Sequence, residues 1–175
     1  MPIRRVAAGE FAAIQPGLIA LLHDAVLHGS SLGFLHPISG DTAAAYWADV
    51  AESVASGQTA LWVSTEGGRV VGSVQLAPSQ RESDRHRAQV QNLLVMAASR
   101  RKGIARALIQ TMEAEARRRG LHTLVLDTEL GCDAEPFCRA LGYEYAGSIP
   151  DFAATPDGVL RPNAIYYKLL LQEAA

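Results

Sequence analysis

Apolar and polar positions follow two rhythms along this chain, one near 3.6 residues and one near 2. From Glu10 to about Leu27 the apolar residues Phe11, Ile14, Leu18, Leu21, Leu22 and Ala25 recur at helical spacing. They predict an amphipathic helix, with Pro16 and Gly17 as the place for a kink. A second helix is predicted to run to about Ala55, with Asp41 or Thr42 as its N-cap. Between them "HGSSLGFLHPISG" (residues 28–40) is rich in Gly, Ser and His and reads as a loop. A third periodic stretch, from about Lys102 to Arg119, carries Ala105, Leu108, Ile109, Met112 and Ala116 on one stripe. Gly120 suits its C-cap, and Arg117, Arg118 and Arg119 lie at the negative end of its dipole.

The period-2 segments predict strands. "PIRRV" makes a short first one, and "TALWVSTE" and "RVVGSVQLA" flank Gly67 and Gly68 as a hairpin. "PSQRESDRHR" reads as an exposed loop before a fourth strand, "AQVQNLLVM". "HTLVLDTE" is a fifth strand, and "DAEPFCRALGY" a short helix capped by Asp133 with Pro136 in its first turn. "YEYAGSI" and "AIYYKLLL", joined by a loop containing "TPDGVLRP", complete the order. The expected class is α/β (α+β): a mixed, mostly antiparallel sheet of about seven strands with about four helices and one strand–helix–strand unit. It is not a doubly wound nucleotide fold.

Composition narrows this picture. The chain has 175 residues, 49% of them hydrophobic, enough to bury a core without covalent staples. No repeat or long linker divides it, so residues 1–175 read as one domain. Sixteen Lys and Arg stand against 18 Asp and Glu, which excludes nucleic-acid binding through overall charge. Cys132 and Cys138 are not at zinc or redox spacing, and free thiols in a reducing cytosol are expected. None of His23, His28, His36, His86 and His122 pairs with another ligand type at metal spacing, so no metal is expected. The start lacks a secretory h-region, and no stretch approaches about 18 uninterrupted apolar residues. The chain is therefore expected in the cytoplasm, away from membranes.

Charge does concentrate at one place. "RRKGIA" sets Arg100, Arg101 and Lys102 directly before Gly103, Ile104, Ala105 and Arg106, between a strand and a long helix. The first amides of a helix have no internal partner and point at whatever lies off its N-terminus, where the macrodipole favours an anion. Gly103 and Ala105 allow backbone to approach that anion closely. Neither G-x-x-x-x-G-K-[ST] nor G-x-G-x-x-G occurs, so this is a different phosphate-binding turn.

"RRKGIA" in this setting resembles the Q/R-x-x-G-x-G/A signature of the GNAT N-acetyltransferases. The segments "HGSSLGFL", "TALWVSTEGG", "AQVQNLLV", "LVLDTELGCDAEPFCRALGY" and "IPDFAATPDGVLRPNAIYYKLL" look like the tabtoxin-resistance acetyltransferases within that family. The resemblance implies acetyl-CoA as cosubstrate, with its pyrophosphate on residues 100–106 and its pantetheine arm along Leu94 and Val95, which also offer an oxyanion donor. It implies acetyl transfer to a primary amine of a small amino-acid-like molecule, by direct attack in a ternary complex, and a monomer or homodimer. In those relatives the amine belongs to a toxic β-lactam amino acid.

Candidate site residues follow. On the fifth strand Val125, Asp127 and Glu129 share one face, and Leu124, Leu126 and Thr128 the other. A carboxylate among apolar residues near a strand's middle needs a reason. In the tabtoxin-resistance relatives an aspartate there serves as general base or as anchor for the substrate ammonium, which falls on Asp127. Glu129 is the second candidate, and a structural hydrogen bond to a neighbouring loop is the plainer alternative. Gln89 stands where those relatives carry an acidic residue; an amide can orient an amine but cannot take its proton. Cys138 stands where many members of the family carry a tyrosine that protonates the departing thiolate. It is open as packing residue, general acid or nucleophile, with Arg139 and a nearby helix N-terminus expected to favour the thiolate. His28 and His36 border the Gly/Ser loop that helps wall the acceptor pocket in relatives. Gln89 and Cys138 together also admit another class, a degenerate acyl-CoA sensor.

Overall fold

The computed structural model describes residues 2–30 and 32–170. Seven strands form one sheet: β1 (Ile3–Arg5), β2 (Ala60–Glu66), β3 (Arg69–Pro78), β4 (Arg87–Val95), β5 (Thr123–Glu129), β6 (Glu144–Ala154) and β7 (Leu160–Leu169). Four α-helices accompany them: α1 (Phe11–Leu27), α2 (Gly40–Ala55), α3 (Ile104–Arg118) and α4 (Ala134–Ala140). The spatial order is β1-β2-β3-β4-β5-β7-β6. Every neighbouring pair is antiparallel except β4 and β5, which are bridged through α3. The expected class and element order hold. The C-terminal pair is longer than the apolar runs suggested, and Leu171, placed in the last strand by its sequence, lies outside the described residues.

Two cores form on opposite faces of the sheet. On one, α1 and α2 bury Leu18, Leu21, Leu22, Ala43 and Trp47 against Leu61, Val63 and Leu94. On the other, α3 sets Ile104, Leu108, Ile109 and Met112 against Val74, Leu76, Val90, Leu124 and Leu126. Trp62 and Tyr166 belong to this second core, whereas Tyr145 is 47% exposed. Gly72 lets α3 lie close to β3, because a Cβ there would come within 3.0 Å of both Ile104 Cγ2 and the Leu94 carbonyl oxygen.

Two helix caps differ from expectation. The N-cap of α2 is Ser39, whose hydroxyl oxygen accepts from the Thr42 N–H at 3.0 Å, not Asp41 or Thr42. Ser39 takes the position because it holds the last extended backbone before the turn. Asp133 precedes α4 without a side-chain capping bond; Glu135 instead reaches back to the Gly131 N–H at 2.6 Å. Pro16 is accommodated inside a continuous α1. The stretch Ala8–Leu27 is long and apolar enough to cross a membrane by length and composition. Its Leu18, Leu21, Leu22, Ala25 and Val26 are at most 2% exposed and pack into the core on the α1 side of the sheet.

Candidate active site

The site starts from an interruption in β4. Gln75 pairs with Gln91 and Ser73 with Leu94, so β4 holds one residue more than β3 between these pairs. That residue makes a bulge at Asn92, whose φ of +48° is uncommon for a side chain other than glycine. The bulge resets the alternation, so Leu94, not Leu93, packs on the α1 side. It also bends β4 away from β5. The two parallel strands pair only over Arg87–Gln89 against Thr123–Val125. Beyond Gln89 the β5-facing edge of β4 has no strand partner, and a wedge opens between them.

The floor of the wedge is polar. Gln89 and Asp127 lie on adjacent strands, and Gln89 Nε2 donates to Asp127 Oδ1 at 3.3 Å. Asn163 Nδ2 on β7 donates to Asp127 Oδ2 at 2.6 Å, and Gln91 Nε2 donates to Gln89 Oε1 at 3.3 Å. Asp127 remains solvent-exposed at the edge of a cleft of about 480 Å³ that Ala77, Gln89, Val125, Phe152 and Ile165 also line. Gln75 and Tyr46 continue the polar row toward α2. The loop between α1 and α2 reaches the β6–β7 turn, where the His36 N–H donates to the Pro156 carbonyl at 2.8 Å.

At the other end of the wedge lies the basic turn. Arg101 has φ +63° and Gly103 φ +80°, so two left-handed residues stand one apart just before α3, after the extended Arg100. Such a turn gathers successive N–H groups into an anion-binding concavity. The first bond into the helix is Ala107 N–H to the Gly103 carbonyl. The N–H groups of Lys102, Gly103, Ile104, Ala105 and Arg106 have no acceptor among the described residues. The side chains of Arg100, Arg101, Lys102 and Arg106 are exposed around them. Arg100 Nε donates to the Val95 carbonyl at 3.3 Å, and Lys102 lies 3.5 Å from Glu66. Five orphan amides ringed by cations fit a diphosphate. A side chain at Gly103 would have to adopt the same left-handed backbone, so Gly103→Val is expected to raise the KM for acetyl-CoA at least about tenfold. Steady-state kinetics at saturating acceptor measures it; an unchanged KM would remove this turn from cofactor binding.

The other predicted residues are placed as follows. Glu129 is half-buried at the far end of β5, 4.0 Å from Arg161 Nε. The Leu94 side chain is buried under α1, leaving only its backbone toward the wedge, while Val95 is half-buried. His28 is exposed at the end of α1, its Nδ1 hydrogen-bonded to the Asp24 carbonyl at 2.7 Å. His36 is exposed in the loop facing β6–β7. Among the described residues no His, Cys, Asp and Glu group could hold a metal ion.

The electrostatic expectation for Cys138 is corrected. It sits in the C-terminal half of α4, away from the helix N-terminus. Arg139 turns outward, donating from Nε to the Tyr166 hydroxyl at 3.1 Å and lying 3.7 Å from Glu135. Burial pushes the Cys138 thiol up to about 11, with Cys132 and Glu135 adding to the rise. Adjacency in sequence misled because on a helix the neighbouring side chain points elsewhere. The thiolate needed for a nucleophile is therefore scarce near neutral pH. At pH 8, iodoacetamide is expected to alkylate half-buried Cys132 at least about tenfold faster than Cys138, read by peptide mass spectrometry. The reverse order would restore a reactive Cys138.

Sequence reasoning missed Tyr46, Asn163 and Asn92. Asn163 follows from its position one strand beyond Asp127; Tyr46 and Asn92 depend on the bulge, which no local pattern announces.

A diphosphate cradle, a wedge of unpaired strand edge and a carboxylate at its end form a path for an extended phosphorylated donor meeting an amine. Residues 31–143 match the family model described as "Acetyltransferase (GNAT) family". The chain is 35% identical over 102 residues to N-acetyltransferase 8F1 of Rattus norvegicus, covering 57% of this chain and 46% of that one. It is 25% identical over 111 residues to the uncharacterized N-acetyltransferase YsnE of Bacillus subtilis, covering 62% and 71%. The structure of yncA from Salmonella typhimurium with its cofactor acetyl-CoA superposes with a TM-score of 0.77 at 23% identity, covering 100% and 96%. The chain belongs to the GNAT acetyltransferase family. Family model and curated relatives alike are described as acetyltransferases. The matches span about half the length of the mammalian relatives.

Proposed function

We propose that this chain, acting as one domain, transfers the acetyl group of acetyl-CoA to the primary amine of a small amino-acid-like molecule in a ternary complex. The amine of a β-lactam amino acid of the tabtoxin type is the acceptor we favour, on the resemblance across "LVLDTELGCDAEPFCRALGY" and its companion segments. The observation that carries the reading is the wedge itself, with orphan amides at 102–106 at one end and Asp127 at the other.

The division of labour is as follows. Residues 100–106 hold the pyrophosphate, and the free edge of β4 around Leu94 and Val95 accompanies the pantetheine arm. Asp127, oriented by Gln89 and Asn163, holds the acceptor ammonium and takes a proton from it. The amine nitrogen forms a bond to the thioester carbon, the C–S bond breaks, and CoA leaves as thiolate to be protonated from solvent. Cys138 is a packing residue and Glu129 a structural partner of Arg161. His28 and His36 contribute a rim to the acceptor side. Both cysteines stand as free thiols, which supports a cytoplasmic setting. We propose a monomer or homodimer.

Release of free CoA thiol from acetyl-CoA against a panel of amino acids, β-lactam amino acids, dipeptides, polyamines and aminoglycosides tests this. Release with amino-acid-like amines is the expected result. Release only with polyamines or aminoglycosides would overturn the acceptor class. Silence across the panel with acetyl-CoA still bound would favour the sensor alternative.

A further inference from the structure

Resting on that reading, a second polar group is of interest beside the bulge of β4. Tyr46, half-buried on α2, brings its hydroxyl to the bulge of β4. Gln75 Nε2 donates to that oxygen at 2.8 Å, and Asn92 Nδ2 donates to it as well. A phenol hydroxyl accepts through its oxygen and has one proton to give. Both amides donate to the oxygen, and among the described residues no acceptor receives the proton. The ring is held edge-on by Phe34 (5.4 Å between centroids) and Trp47 (5.0 Å). The O–H is therefore a fixed donor, polarised by the two N–H groups on its own oxygen.

Its place along β4 identifies what it serves. Asp127 is bonded to Gln89, and the expected pantetheine contacts begin at Leu94. On the proposed path an acyl carbon between amine and pantetheine would fall beside residues 91–93, and Asn92 meets Tyr46 there. We propose that the Tyr46 hydroxyl donates a hydrogen bond to the acetyl carbonyl oxygen of acetyl-CoA and strengthens it as charge develops there during attack. Gln75 and Asn92 act as positioning residues that keep the proton pointing outward. Burial raises the phenol's pKa above its ordinary value, which keeps it a neutral donor across the working range. A neutral donor suits this task, since it stabilises the oxyanion without placing a cation beside Asp127.

The first test needs no acceptor. Acetyl-CoA labelled with 13C at the carbonyl is bound to wild-type protein and to Tyr46→Phe, and its thioester C=O stretch is recorded by isotope-edited infrared spectroscopy. The expected result is a shift to lower wavenumber in wild type that is mostly lost in Tyr46→Phe, with affinity for CoA itself unchanged. An identical carbonyl band in both proteins would overturn the proposal. The second test is kinetic: with an acceptor found, Tyr46→Phe is expected to lower kcat about 10- to 100-fold with the acceptor KM within about threefold. A change confined to the acceptor KM would overturn it and make Tyr46 an acceptor contact. An infrared shift in a protein without turnover would sink the proposed activity while leaving this donor in place.

Discussion

Asp127→Asn is expected to lower kcat/KM for the acceptor by about 10²- to 10⁴-fold, the range for losing a positioned general base. The substitution is nearly isosteric and the site can accept it. Asn163 Nδ2 still finds the remaining oxygen, because that bond is the shorter of the two at 2.6 Å. The new amide then faces Gln89, which is solvent-exposed and can rotate its own amide to offer Oε1. Folding should be little affected, with the melting temperature within about 2 °C. What disappears is the charge that attracts an ammonium and the lone pair that accepts its proton. No second carboxylate takes over, since Gln89 occupies the partner position on β4 and Glu129 is engaged with Arg161. A loss in kcat would identify proton transfer as the main role, and a loss in acceptor KM the anchoring of the ammonium. Activity equal to wild type would remove Asp127 from the site.

Much of this arrangement is legible in the chain itself. Period-2 and period-3.6 patterns mark the elements because each strand and helix buries one face against a neighbour. Asp127 stands out as a carboxylate among Leu124, Leu126 and Val125, and "RRKGIA" stands out as charge placed against a helix start. The features that escape are those created by pairing between distant segments. The bulge at Asn92 exists only because β3 runs one residue shorter over the same span, and "VQNLLV" by itself reads as unbroken strand. Tyr46 looks like any aromatic on an amphipathic helix until the bulge turns Asn92 beneath it. Asn163 becomes a partner of Asp127 only once β7 inserts between β5 and β6. Ser39 outranks Asp41 as a cap because of its backbone angle, which composition does not reveal.

A residue far from the chemistry sets the largest expected stability effect. Lys168 on β7 donates from Nζ to both oxygens of Glu113 on α3, at 2.9 and 2.8 Å, and to the Leu141 carbonyl at 2.6 Å. The ammonium also lies 5.3 Å from the centre of the buried Tyr143 ring. One side chain thus ties the last strand to the long helix and to the end of α4. The Glu113 side chain is 5% exposed, and its other cation, Arg117, stands at 3.6 Å on the helix surface. Lys168→Met keeps the hydrocarbon stem but leaves a buried carboxylate whose nearest remaining cation is Arg117. Breaking such a pair costs about 3–5 kcal/mol, which for a chain of this size means a melting temperature lower by roughly 6–20 °C. Lys168→Met/Glu113→Leu removes the stranded charge together with its partner and is expected to regain most of that loss. Thermal unfolding of the two variants separates the alternatives: recovery in the double variant assigns the cost to desolvation of Glu113, whereas equal loss in both assigns it to the attraction within the pair. Neither residue touches the wedge, so kcat measured well below the transition should stay at the wild-type value in both.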